Sequence, residues 1–314
     1  MGEIGKGMVA MAAACTIWGL SPLYWNMVSH VPPLEVLAHR TLWSLVFFGI
    51  VLALRGRLHE VFRLIVRTGD AWKVLLAALT ISVNWFLFIY SVQIERVVEA
   101  SLGYYIFPLV SVLFGMVFFR ERLDRVRGLA VGLAAVAVAV LTLGLGVAPW
   151  ISLGLALSFG SYGAIKKGLV AGPVVSVTAE VAVLAPLAIV WLAGVHAYGW
   201  PGESAAAVAA FGRDLQDSLV LAGAGVATGL PLILFSYGAR RLPLGMTGLL
   251  QYLNPSLQFL VAAAIFAEPI TRWHWIAFPL IWIAVAMFSL ESLRQDRAAR
   301  RRAMSASMSG TTVI

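Results

Sequence analysis

The chain has 314 residues, 61% of them hydrophobic and 12% charged, with a mean hydropathy of +0.89. Soluble domains carry about 25% charged residues, so a water-soluble class is excluded and an all-α integral membrane protein is predicted. The net charge of +8 does not point to nucleic acid, because the basic residues sit in short gaps between apolar stretches; that placement fits topology control and attraction to membrane lipids.

A spanning helix needs about 20 mostly apolar residues, and ten stretches qualify: 7–28, 35–54, 72–93, 98–119, 126–146, 149–167, 174–196, 217–239, 243–266 and 273–292. The links are short except 55–71 and 197–216. Lys and Arg alternate along them without a miss: nineteen fall in links on one side, three (Arg96, Arg213, Arg272) on the other, and Arg40 lies within a span. Cytoplasmic links accumulate such residues, which predicts cytoplasmic N- and C-termini in a multi-pass plasma (inner) membrane protein. Residues 293–314 read as a basic, disordered cytoplasmic tail.

Superposing 77–125 on 224–272 without a gap pairs eleven identical residues, among them Tyr90 with Tyr237, Tyr105 with Tyr252, Pro108 with Pro255, Glu121 with Glu268 and Arg125 with Arg272. The chain therefore divides into a first five-helix repeat, 1–147, and a second, 148–292. Five spans per half is odd, so the second half enters from the opposite side and the repeats are inverted, the plan of alternating-access transporters.

Ten spans in two inverted halves, each with a proline followed thirteen residues later by Glu, resemble the drug/metabolite transporter superfamily and its EamA domains. Trp18-Gly19, Val31-Pro32-Pro33-Leu34-Glu35 leading to His39-Arg40, Asn84-Trp85, Glu99 to Tyr104, Gln251-Tyr252 and Asn254-Pro255 resemble the RarD branch. The resemblance covers nearly the whole chain and implies a permease of small metabolites or drugs.

Several residues are candidates for the solute site. Arg40 lies about six residues into its span, where a charge is functional by default; it anchors an anionic group such as a carboxylate, or else snorkels to the headgroups. Glu180, in the corresponding span of the second half, carries a proton, partners Arg40, or has a structural role. Pro108 and Pro255 each remove a backbone donor, freeing the carbonyls of Tyr104 and Gln251. They are read as helix breaks that place Tyr104, Tyr105, Gln251, Tyr252 and Asn254 near the solute; simple kinks are the alternative. Asn84 and Trp85 fall midway along the third span and serve either packing or recognition. Trp18 is an aromatic wall or a packing residue.

The GxxxG spacings Gly128/Gly132 and Gly225/Gly229 suit close helix approach, within the chain or in a homodimer. Glu121 and Glu268, beside arginines, read as surface ion pairs or helix-end locks. The single Cys15 excludes an intrachain disulfide, and the five histidines lack ligand spacing, so no metal or cofactor is expected. The reading is a secondary-active exporter of a small organic solute (an amino acid, metabolite or drug), driven by proton exchange or by the solute's own gradient. The rivals are a non-transporting membrane scaffold or sensor and an intramembrane enzyme; no clustered nucleophile and base favours the latter.

Overall fold

The computed structural model describes residues 2–66, 69–119, 125–146, 148–200, 209–242 and 244–309. These residues form helices: α1 Glu3–Asn26, α2 Pro33–Leu54, α3 Leu58–Val66, α4 Ala71–Gln93, α5 Val97–Phe119, α6 Arg125–Leu145, α7 Trp150–Lys167, α8 Pro173–Tyr198, α9 Leu215–Ala239, α10 Leu244–Gln251, α11 Leu253–Leu260, a π-helical turn Val261–Ile265, and α12 Arg272–Ser309. Eight of them, α1, α2, α4, α5, α6, α8, α9 and α12, are long and apolar enough to cross a membrane. The other two apolar stretches are α7, with 18 residues, and the broken segment from α10 to the π-helical turn. The chain is a multi-pass membrane protein, because in hydrocarbon only a helix or a closed barrel satisfies every backbone amide. α3 differs from its neighbours: it is short and amphipathic, burying Val61 and Leu64 while Phe62 and Val66 face outward.

Helix packing follows a regular plan. α1 lies against α9, and α4 against α7; α2 lies against α9, and α4 against α8; α1 meets α11, and α5 meets α7. Three further pairs, α2 with α8, α5 with α11 and α6 with α12, complete the bundle. Small residues permit the closest of these contacts. A β-carbon on Gly225 would sit 2.2 Å from the Trp43 carbonyl oxygen, and one on Gly229 would sit 2.3 Å from the Phe47 ring. The second GxxxG pair therefore serves packing of α9 on α2 within the chain. Gly132, by contrast, has nothing within 4 Å.

The two proline positions behave differently from the expected pair of breaks. α5 runs unbroken through Pro108, since one missing donor does not stop a helix whose other amides have no water to turn to. The second stretch does break, but at Tyr252, three residues before Pro255. Pro255 lacks the N–H that would reach the Gln251 carbonyl four residues back, and Gln251 is where α10 ends; Pro255 then sits in the first turn of α11, where no intrahelical donor is needed. The helix expected to end near 292 continues to Ser309 as part of a 38-residue α12, because its Ala, Arg and Met residues are strong helix formers.

Candidate functional site

α2 begins with Pro33, whose fixed φ suits the first helical position, and carries Arg40 two turns further on. The Arg40 side chain is not in the headgroup layer: the residue is only 7% exposed and lies among α1, α4 and α9. Its Nε–H donates to Thr228 Oγ1 at 3.0 Å. The guanidinium carbon lies 4.9 Å from the Trp25 ring centroid and 4.2 Å from that of Trp85, so indoles cover it. Nη1 is buried with no hydrogen-bond partner, and among the described residues no carboxylate pairs with Arg40. Ring quadrupoles recover about 1–2 kcal/mol each, whereas a buried ion loses several kcal/mol of hydration. The site thus holds a positive charge that no described residue neutralises.

Glu180 does not answer it. Its Oε1 accepts from Lys166 Nζ at 2.6 Å and its Oε2 from Tyr162 Oη at 3.1 Å. Lys166 also donates to Ser176 Oγ. The short link between α7 and α8 brings this lysine, on the last turn of α7, within reach of Glu180, so the acid is neutralised inside its own half.

The other expected site residues separate into distinct groups. Trp85 is part of the Arg40 site. Asn84, beside it, turns instead to α7: its Nδ2 donates to Leu155 O and Ser158 Oγ, both at 3.1 Å, and its Oδ1 accepts from Tyr104 Oη at 3.2 Å. Tyr105 stacks on Tyr252, its partner in the sequence register, with centroids 6.2 Å apart and planes 16° from parallel; its hydroxyl lies 2.6 Å from Ser256 Oγ. Asn254 Oδ1 accepts from Gln258 Nε2 at 3.0 Å. Trp18 packs on Phe235 at 5.7 Å, and Gln251 closes α10 half-buried. Trp25, Thr228 and Lys166 were not among the sequence candidates. Thr228 stands where Ile81 stands in the repeat register, so a polar residue opposite an apolar one was the available signal.

A second cluster ties chain ends together. Glu268, 7% exposed, accepts from the backbone N–H groups of Val97 and Val98 at 2.7 and 2.8 Å, capping α5 from across the chain. This is a helix-end lock rather than a surface ion pair; Glu121 lies outside the described residues. The described non-glycine residues with positive φ are Glu95 (57°) and Ala267 (53°), one on each side of this contact. Burial pushes the Glu268 carboxyl above the usual carboxylate range, against the two N–H donors that pull it down. Nearby, Glu35 accepts from Ala210 N–H at 2.8 Å, and His30 Nε2 lies 2.8 Å from Asp217 Oδ2. Phe211 stacks on His39 at 4.9 Å.

Residues 5–143 match the EamA-like transporter family. The chain is 42% identical over 306 residues to Protein RarD of Streptomyces exfoliatus, covering 96% of this chain and 93% of that one. It is 37% identical over 301 residues to the uncharacterized transporter YojE of Bacillus subtilis, covering 95% and 98%. It is 28% identical over 308 residues to a chloramphenicol-sensitive protein RarD of Pseudomonas aeruginosa, covering 95% and 98%. A crystal structure of another protein, 19% identical, shares the fold: its TM-score is 0.59 over 93% of this chain and 99% of the other.

Proposed function

Since the chain belongs to the EamA-like transporter family, in its RarD group, we propose that it is a secondary-active exporter that moves a small organic solute across the plasma membrane by alternating access. The observation that carries this reading is Arg40: a buried guanidinium with an unpartnered Nη1 and, among the described residues, no carboxylate beside it. A scaffold has no reason to keep such a charge, and a catalytic centre would set a base or nucleophile against it. A solute that brings its own negative charge completes the site.

The mechanism follows from two inverted halves, 1–147 and 148–292, with both termini cytoplasmic. Ten spans are counted when α7 and the broken α10–α11 stretch are included. The packing supports this relation, because each contact within the plan has its counterpart. Exchanging α1 with α7, α2 with α8, α4 with α9, α5 with α10–α11, and α6 with α12 turns the α1–α9 contact into α7–α4, α2–α9 into α8–α4, and α1–α11 into α7–α5. The three remaining pairs are each a helix with its own counterpart. Two halves related in this way can exchange conformations and turn the Arg40 site to either face in turn.

Within this scheme Trp25, Trp85 and Thr228 hold the guanidinium in place. Tyr104, Tyr105, Tyr252, Gln251 and Asn254 flank the solute's path, and Trp18 lines it. The Lys166–Glu180 pair carries the coupling proton. Glu268 and Glu35 close the outer face when their bonds to α5 and to Ala210 are made. The test is transport by purified protein in liposomes: Arg40→Ala abolishes exchange while the protein still inserts. Undiminished exchange by that variant would sink the proposal.

A further inference from the structure

We infer that the solute is a monocarboxylate with an apolar or aromatic body and without an ammonium group. This deepens the transporter reading and rests on it.

The argument is a charge inventory of the four helices that meet at Arg40. α1, α2, α4 and α9 carry three acids, Glu3, Glu35 and Asp217. Each is engaged: Glu3 with Lys6 and Arg241, Glu35 with the Ala210 N–H, and Asp217 with His30. The acid on the adjoining α8, Glu180, holds Lys166; Glu99, in the first turn of α5, bonds Arg96 through Oε1 at 3.2 Å and keeps a buried Oε2 without a partner there, outside the four helices that meet at Arg40. Of the Lys and Arg residues on the four helices, Lys6 and Lys73 pair with Glu3 and Asp70, which leaves Arg40. Among the described residues of these four helices, the site therefore has one positive charge to neutralise and no acid without a hydrogen-bond partner to meet a second cation. A zwitterionic amino acid would bury its ammonium without a counter-ion, which is strongly unfavourable. A dianion would bury one negative charge too many.

The directions of approach narrow the class further. Indoles cover the guanidinium plane, and Thr228 takes the Nε edge. The edge carrying Nη1 is left, and a carboxylate entering in that plane makes short, charge-assisted bonds there. Whatever follows the carboxylate passes the edges of Trp25 and Trp85, and the Tyr24 ring meets that of Trp25 edge-on with centroids 5.0 Å apart. Such walls suit an apolar or aromatic body.

The test uses four radiolabelled probes of one skeleton in liposomes holding the full-length protein: 3-phenylpropionate, phenylalanine, phenethylamine and benzylmalonate. Uptake of 3-phenylpropionate should exceed that of each of the others by about a hundredfold, since an unpaired buried charge is the difference. Arg40→Gln and Arg40→Lys should remove it, the lysine because a point charge cannot present the fork. The wild-type comparison decides the matter even if the variants fold poorly. Phenylalanine taken up as fast as 3-phenylpropionate, and lost in Arg40→Gln, overturns this inference and leaves the transporter reading intact. No protein-dependent uptake of any probe overturns this inference alone; the transporter reading falls by the Arg40→Ala exchange test.

Discussion

Replacing Arg40 by methionine separates a charge kept for a solute from one kept for the fold. The substitution removes two cation–π contacts, together about 2–4 kcal/mol when desolvated, and one charged hydrogen bond to Thr228, about 1.5–3 kcal/mol. It also relieves an ion buried without a counter-charge, several kcal/mol, and an unsatisfied Nη1, about 1–3 kcal/mol. The terms oppose each other and close to within about 2 kcal/mol of zero. Lys166→Met is the comparison, because it strands Glu180, which is 1% exposed, without its cation; such a loss destabilises by about 3–5 kcal/mol. In detergent, thermal unfolding followed by circular dichroism should place Arg40→Met within about 5 °C of wild type and Lys166→Met roughly 6–20 °C below it. Arg40→Met falling as far as Lys166→Met would mean that Arg40 already has a counter-charge or a structural duty. The charge inventory would then be wrong.

Glu268→Ala removes both acceptors of the α5 cap and should destabilise by about 3 kcal/mol, with Glu268→Gln, which keeps one acceptor, losing about half; equal midpoints for alanine and wild type would contradict the lock. Because burial holds the folded Glu268 carboxyl above its ordinary value of 4.5, the native chain binds this proton more tightly than the unfolded one. Stability should therefore fall as pH rises from that value through the raised one, and Glu268→Gln should lose that slope. Gly225→Val forces α9 off the Trp43 carbonyl, one turn from the Arg40–Thr228 bond, and should lower the unfolding midpoint by the equivalent of about 3 kcal/mol or more. Gly132→Ala, in open space, should be neutral or gain about 0.5–1 kcal/mol; equal losses for both would refute the packing role assigned to Gly225 and its absence at Gly132.

Helix positions were legible because hydrocarbon allows so few structures: apolar runs punctuated by basic links located α1, α2, α4, α8 and α9 to within a few residues. Local chemistry was less legible. Pro108 and Pro255 share a register, yet only the second accompanies a break, so a proline alone does not decide the outcome. Asn84 read as well for recognition as for packing. Only the fold reveals that Leu155 O, Ser158 and Tyr104 already take its amide. Arg40 stood out as an arginine within a span, but Trp25 and Thr228, which hold it, come from α1 and α9, 203 positions apart. Periodicity carries no information at that separation.

Arg40 and Glu180 occupy corresponding places. Each follows by seven residues the proline that opens its helix, Pro33 in α2 and Pro173 in α8, and these two helices pack on each other. In the proposed inverted relation they stand at equal depths from opposite faces, one a cation and the other an anion. What differs is the residue supplied by the preceding helix. Near the end of α7 it is Lys166, which neutralises Glu180; near the end of α1 it is Trp25, which covers Arg40 without neutralising it. One half thus closes its charge internally, and in the other no described residue neutralises it. A symmetric pair of ion pairs would hold both halves shut alike; under the proposed function, this asymmetry makes closure around Arg40 depend on an anion being present. If so, Trp25→Glu, which gives α1 the acid that α7 has no need of, should pair with Arg40, raise the unfolding midpoint, and abolish 3-phenylpropionate uptake. Uptake that survives alongside a raised midpoint would show that Arg40 is not where the solute binds.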